Sequence, residues 1–248
     1  MGSQADPKDE FTVLVTGFGA FRDRYPVNPS WEIARGLPSH LPPLRTKNPN
    51  VPRDGSSAPE LPAVRILVHP EAIRVTFKTV RELDPSFWQA EYQGHKIDAV
   101  IHIGMAGWRP FYKLERRAHR TGYKTPDIEG ELPEGEKEGN FGEDWVWHGL
   151  PDEIISDLDV SDVHRRWVGH SSPDMDLRIS DDAGRYLCDY IYYSSLAECR
   201  KQQRPGKVVF LHVPADASDR SVEQGREITQ NLIRAIAESE VAAKSKPE

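Results

Sequence analysis

The sequence predicts an α/β protein, a three-layer sandwich in which a twisted, mostly parallel central sheet carries helices on both faces. Two observations lead there. Short apolar runs rich in β-branched residues alternate with longer segments of helical periodicity, the pattern of strands and helices wound onto one sheet. In addition, glycine-rich or chemically reactive positions, Gly17 to Phe21, Gly104 to Gly107, Cys188 and His212, fall at or just beyond the ends of these runs, where functional loops of such sheets gather.

The first run, Phe-Thr-Val-Leu-Val-Thr at Phe11 to Thr16, reads as a buried strand ending at Gly17. Trp31 to Leu37 reads as a helix, with Asn28, Pro29 and Ser30 ahead of it as cap and first turn. Residues 38–62 carry seven prolines among Ser, Asn and Gly, the composition of a surface insertion without regular structure. Val64 to Val68 is the second strand, and Val75 to Tyr92 is helical with an interruption at Pro85. Ala-Val-Ile-His-Ile-Gly at Ala99 to Gly104 is apolar enough to be a central parallel strand. Residues 127–144 are rich in Gly, Glu and Pro without periodicity and read as a long acidic loop, the second insertion.

Leu150 to Trp167 is helical in part, with Val160, Val163 and Trp167 on one face. Leu177 to Ser180, Ala183 to Gln202, Val208 to Val213 and Asp219 to Glu240 then alternate strand, helix, strand, helix. At 248 residues the chain suits one α/β domain spanning residues 1–248, interrupted by the two insertions.

A net charge of -7, with basic residues interleaved among acids, argues against a nucleic-acid partner, which needs a clustered basic surface. No stretch approaches the roughly 20 apolar residues of a bilayer span, and the start of the chain is polar, so the expected location is cytoplasmic with no membrane partner. Only two cysteines are present, Cys188 and Cys199. On one helix they would stand roughly 16 Å apart, too far for a disulfide. Without a Cys-x-x-Cys pair, no metal site is expected.

Cys188 follows a predicted strand by a few residues and lies near the start of the next helix, whose partial positive charge favours a thiolate. Taken alone it fits a buried packing residue at least as well as a nucleophile. His212, at the exit of the Val208 to Val213 strand, is either a buried histidine bonded to backbone or a base on the same sheet edge. His102, inside a strand, reads as packing. Glu115, after the third strand, is either a surface partner of Arg116 or Arg117 or a carboxylate that orients an imidazole. Together the three supply nucleophile, base and orienter. Phe18 and Phe21, on a glycine-flanked loop, either cap the core or sandwich a small planar ligand.

These segments resemble the pyroglutamyl-peptidase I family, the pyrrolidone-carboxylate peptidases. Val15-Thr16-Gly17-Phe18-Gly19-Ala20-Phe21 with Val27-Asn28-Pro29-Ser30-Trp31 is similar to the amino-terminal signature of that family. Ile101-His102-Ile103-Gly104-Met105-Ala106-Gly107 with Leu114-Glu115-Arg116 resembles the segment of its catalytic glutamate. Asp182-Ala183-Gly184-Arg185-Tyr186-Leu187-Cys188-Asp189 resembles the nucleophile segment in its animal form, and Phe210-Leu211-His212-Val213-Pro214 the histidine segment.

The resemblance implies a Cys188, His212, Glu115 triad that releases an amino-terminal pyroglutamyl residue from peptides through a thioester. It also implies that Phe18 and Phe21 flank the lactam, that Tyr186 and Leu187 close the slot, and that Asn28 braces the loop. No cofactor is implied, and the animal-like nucleophile segment favours a monomer over a tetramer. Three departures stand out: Arg120 where many members have asparagine, Met105 where bacterial members often have glutamine, and Gly122-Tyr123-Lys124-Thr125-Pro126 where many bacterial members place an arginine. The alternatives are a catalytically silent relative that binds blocked peptides and a cysteine amidase for another blocked amino terminus.

Overall fold

The computed structural model describes residues 10–21, 25–43, 61–107 and 110–245. In chain order its elements are β1 (Phe11–Gly17), α1 (Pro29–Ala34), β2 (Val64–Val68), α2 (Phe77–Phe87), β3 (Ala99–Met105), β4 (Tyr112–Glu115), β5 (Arg117–His119), β6 (Glu153–Ile155), α3 (Val160–His170), β7 (Leu177–Ser180), α4 (Leu187–Lys201), β8 (Val208–Val213) and α5 (Asp219–Lys244). Six strands form one sheet in the order β2-β1-β3-β8-β4-β7. The first four are parallel; β4 runs against β8 and alongside β7. β5 and β6 make a separate antiparallel ribbon.

Strand periodicity explains the layers. Because successive side chains point to opposite faces, Val13 and Val15 enter one core while Leu14 enters the other. The first core takes Ile33 from α1, Val163 and Trp167 from α3, and Leu232 and Ile236 from α5. The second takes Val80 and Phe87 from α2 and Tyr190, Ile191 and Leu196 from α4. Each fully buried aliphatic side chain contributes about 1.5–3 kcal/mol relative to exposure, so the sheet is held from both sides. This is the predicted α/β sandwich.

Local chemistry sets the helix ends. Asn28 caps α1, its carbonyl oxygen accepting the Ser30 N–H at 3.1 Å with Pro29 in the first turn. α2 runs through Pro85, which removes one ladder N–H without splitting the helix, and ends at Phe87, short of the Tyr92 expected. α4 begins at Leu187 rather than near Ala183: Gly184 has φ +82°, a left-handed conformation that no α-helix accommodates. The Asp182 carboxylate accepts the Gly184 N–H at 3.0 Å and fixes that turn.

Two further expectations need correction. Part of the span read as helix from Leu150 is strand β6, in which Ile154 is buried and Glu153 and Ile155 are exposed. Such alternation over three residues is too short to register as a period. β4 and β5 were also not expected, and β4 places Glu115 within the sheet rather than in a loop after β3.

Residues 127–144 contain neither helix nor strand. Their carboxylates bind backbone: Asp127 accepts the N–H groups of Phe77, Glu129 and Glu131 at 3.0, 2.9 and 3.1 Å, and Glu136 accepts that of Tyr123 at 3.0 Å. Of the proline-rich span 38–62, residues 44–60 lie outside the described residues. Among the described residues, no helix is long and apolar enough to cross a membrane.

Candidate active site

Three elements, β8, β4 and α4, bring side chains together at the same face of the sheet, the one covered by α4. On β8, Phe210 enters the α4-side core, and the period of two puts His212 on that face as well. On β4, Tyr112 and Leu114 enter the opposite core, so Lys113 and Glu115 face α4. The antiparallel register pairs Lys113 with His212 and Glu115 with Phe210, making Glu115 and His212 diagonal neighbours across the ladder. His212 Nδ1 lies 2.7 Å from Glu115 Oε1, and Glu115 is fully buried. The surface role considered for Glu115 is therefore not what it has. Arg116 pairs instead with Asp181, and Arg117 with Glu153.

Cys188 is the second residue of α4. Its sulfur rests over β3 at Gly104, where a Cβ would lie 3.0 Å from Sγ. Gly104 is in turn the ladder partner of His212. Thiol, imidazole and carboxylate thus stand over three neighbouring strands.

The expected thiolate is not favoured in the resting site. Burial first, then the carboxylates of Glu115 and Asp189, push the Cys188 thiol up to about 12. Lys113 acts in the opposite direction. A thiol held in this way needs a base to take its proton as it reacts.

A cavity of about 70 Å³ opens beside the sulfur, lined by Phe18, Phe21, Asn28, Val75, Met105, Tyr186, Leu187 and Cys188. It brings together the four residues read as slot-forming, Phe18, Phe21, Tyr186 and Leu187, with Asn28, which was read as bracing the loop. The Phe21 and Tyr186 rings meet edge to face at 5.7 Å. Asn28 holds the loop, donating from Nδ2 to the Gly19 carbonyl at 2.9 Å while its oxygen caps α1. Tyr186 donates from its hydroxyl to the Pro126 carbonyl at 3.3 Å, which ties the slot to the edge of the acidic loop.

Of the departures noted in the sequence, Met105 lines the cavity. Arg120 is engaged elsewhere, donating to the Leu150 carbonyl at 2.6 Å and to the Asp152 carboxylate.

Sequence reasoning did not single out Lys113, Val75 or Asp189. Asp189 is fully buried behind Cys188, where it accepts from the Tyr123 hydroxyl at 3.0 Å and the His119 N–H at 3.3 Å, with His119 Nδ1 at 3.2 Å. The available signal was a carboxylate on an otherwise apolar helix turn. Val75 has no signal that separates it from the core. His102, read as packing, is fully buried, with Nδ1 2.8 Å from Thr16 Oγ1 and Nε2 2.9 Å from Ser195 Oγ. Ser195 donates onward to Asp84.

A family model described as pyroglutamyl peptidase matches residues 65–227, a span containing Glu115, Cys188 and His212. The chain belongs to the pyroglutamyl peptidase family. Mouse pyroglutamyl-peptidase 1 is 32% identical over 202 residues, covering 82% of this chain and 78% of the mouse protein. The pyrrolidone-carboxylate peptidase of Thermococcus kodakarensis is 30% identical over 203 residues, covering 82% and 80%. That order agrees with the animal-like nucleophile segment. The pyroglutamyl peptidase I structure from Bacillus amyloliquefaciens superimposes with a TM-score of 0.66 at 21% identity, covering 92% of this chain and 95% of that one, and shares its α/β fold.

Proposed function

We propose that this chain is a cysteine exopeptidase that removes an amino-terminal pyroglutamyl residue from peptides, with Cys188 as nucleophile, His212 as base and Glu115 as its orienter. The observation that carries the reading is the buried 2.7 Å contact of His212 Nδ1 with Glu115, next to a thiol that borders an aromatic slot. Phe18 and Phe21 offer ring faces to the flat lactam, and Tyr186 and Leu187 close over it. The slot's apolar walls disfavour a charged α-amine, which would lose its hydration there without a partner.

The Glu115 bond occupies Nδ1, which leaves Nε2 to take the Cys188 proton as sulfur attacks the pyroglutamyl carbonyl. The C–S bond forms, and the carbonyl π electrons move to oxygen. First-turn N–H groups of α4 face the developing oxyanion, since Tyr186 supplies no capping side chain to them. Collapse expels the peptide amine, which receives its proton from His212. Water, activated by the same imidazole, then cleaves the thioester and restores the thiol.

The thiol chemistry suits a reducing compartment, and the reading extends to a cytoplasmic enzyme acting as a monomer. The test is release of a fluorescent amine from a pyroglutamyl substrate, alongside an alanyl control and Cys188→Ser. Selective turnover that disappears in the variant supports the assignment. No turnover by folded, reduced protein would sink it in favour of a silent peptide-binding relative, and turnover of a different blocked amine would point to an amidase.

A further inference from the structure

Lys113 stands beside the reactive groups yet has no part in the scheme above. Its Nζ lies 3.2 Å from Glu115 Oε1, the same oxygen that faces His212 Nδ1. Lys113 is also the direct ladder partner of His212, so the ammonium and the imidazole share one face of the sheet and one carboxylate oxygen. The lysine side chain is 23% exposed against 0% for Glu115, so its charge is only partly screened.

The surrounding charges are engaged with one another. On β7, Arg178, the ladder partner of Lys113, is bidentate to Asp176. Beyond β7, Asp181 is held by Arg116 and Arg117. On α4, Asp189 faces His119, with Arg185 at 3.8 Å. β3 presents Gly104 at this level, with His102 two residues deeper. Among the described residues, Lys113 is therefore the lysine or arginine that meets Glu115 directly.

We infer that Lys113 is a positioning residue that partly neutralises Glu115 and so eases the loss of the Cys188 proton. The inference rests on the reading of Cys188 as nucleophile. An isolated Glu115 would oppose a thiolate beside it. A cation on the same carboxylate weakens that opposition. The two act on the Cys188 thiol in opposite directions, Glu115 raising its proton affinity and Lys113 lowering it.

The sign is fixed by charge. Replacing Lys113 with a neutral residue raises the proton affinity of Cys188, so less thiolate is present at any pH below its midpoint. A defect of packing alone would appear in the arginine variant as well, because arginine restores the charge and not the shape of lysine.

The test measures the rate of alkylation of Cys188 by iodoacetamide from about pH 7 to 10, below the midpoint of the thiol, with the modified peptide identified by mass spectrometry to separate it from buried Cys199. Wild type is compared with Lys113→Met, Lys113→Gln and Lys113→Arg. The expected result is about tenfold slower alkylation across this range in the two neutral variants, a rate near wild type for arginine, and a matching loss of pyroglutamyl hydrolysis. Unchanged rates in folded neutral variants, or the same loss in the arginine variant, would overturn the inference. Alkylation needs no substrate: slowed alkylation in the neutral variants of a protein that does not hydrolyse pyroglutamyl peptides would reject the peptidase reading while leaving the role of Lys113 in place.

Discussion

Gly104 and Cys188 share one space: the missing side chain of the glycine is what lets the cysteine sulfur settle onto β3. A Cβ at Gly104 would lie 3.0 Å from Cys188 Sγ and 2.6 Å from Phe210 Cζ. Phe210 is fully buried and has no room to retreat.

Gly104→Ala is therefore expected to displace the sulfur from its place over β3. Overpacking of this kind costs about 1–3 kcal/mol of stability, and pyroglutamyl turnover should fall at least about tenfold, in line with lost near-attack geometry. Thermal melting and kcat/KM together check it. A fully active, equally stable variant would show that the sulfur is not held against this strand.

Phe21→Ala should weaken substrate binding without touching the reacting groups. The variant removes one lactam-facing ring and its edge-to-face contact with Tyr186. A loss of about 1.4 kcal/mol of uniform binding corresponds to a roughly tenfold higher KM with kcat little changed. A fall in kcat at constant KM would instead place Phe21 in transition-state geometry.

Asp84 predicts a pH dependence of stability. Burial raises its carboxyl from the ordinary 3.8 to about 7, against the opposing bond from Ser195. The folded chain thus keeps a proton that the unfolded chain releases near pH 4. Its contribution is complete below that pH and is lost as pH rises through about 7, an effect of at most about 4 kcal/mol. Asp84→Asn should therefore gain stability over wild type on going from pH 5 to pH 8, measured by denaturant unfolding at both values. An equal difference at the two pH values would remove Asp84 as the titrating group.

The parallel strands were legible because each is a compact apolar run covered on both faces, as Val13, Leu14 and Val15 illustrate by entering opposite cores. Cys188, His212 and the phenylalanine loop could be read from their positions at strand ends. Glu115 could be read as an orienting carboxylate only as one of two alternatives, and the resemblance favoured that one. Its own surroundings, with Arg116 and Arg117 adjacent, suggest a surface residue, and the four-residue strand that buries it is too short to show a period. Lys113 was hidden for the same reason, since its partner His212 lies on a strand 99 positions later in sequence and running the opposite way. The start of α4 was misplaced because Gly184 ends the preceding turn by a backbone conformation that composition alone does not announce.

The two halves of the site are anchored differently. His212 and Glu115 belong to strands stitched into the middle of the sheet, so they can be parted only by opening the sheet itself. The walls of the slot hang from loops: Phe18 and Phe21 each make a single isolated bridge, to Ile73 and Tyr25, and Tyr186 precedes the first turn of its helix. Amide exchange should therefore separate them, with slow protons on β8 and faster ones around residues 18–21. The grip on a substrate can be remodelled by changes to these loops while the proton-transfer pair stays in register, leaving selectivity and chemistry free to vary apart.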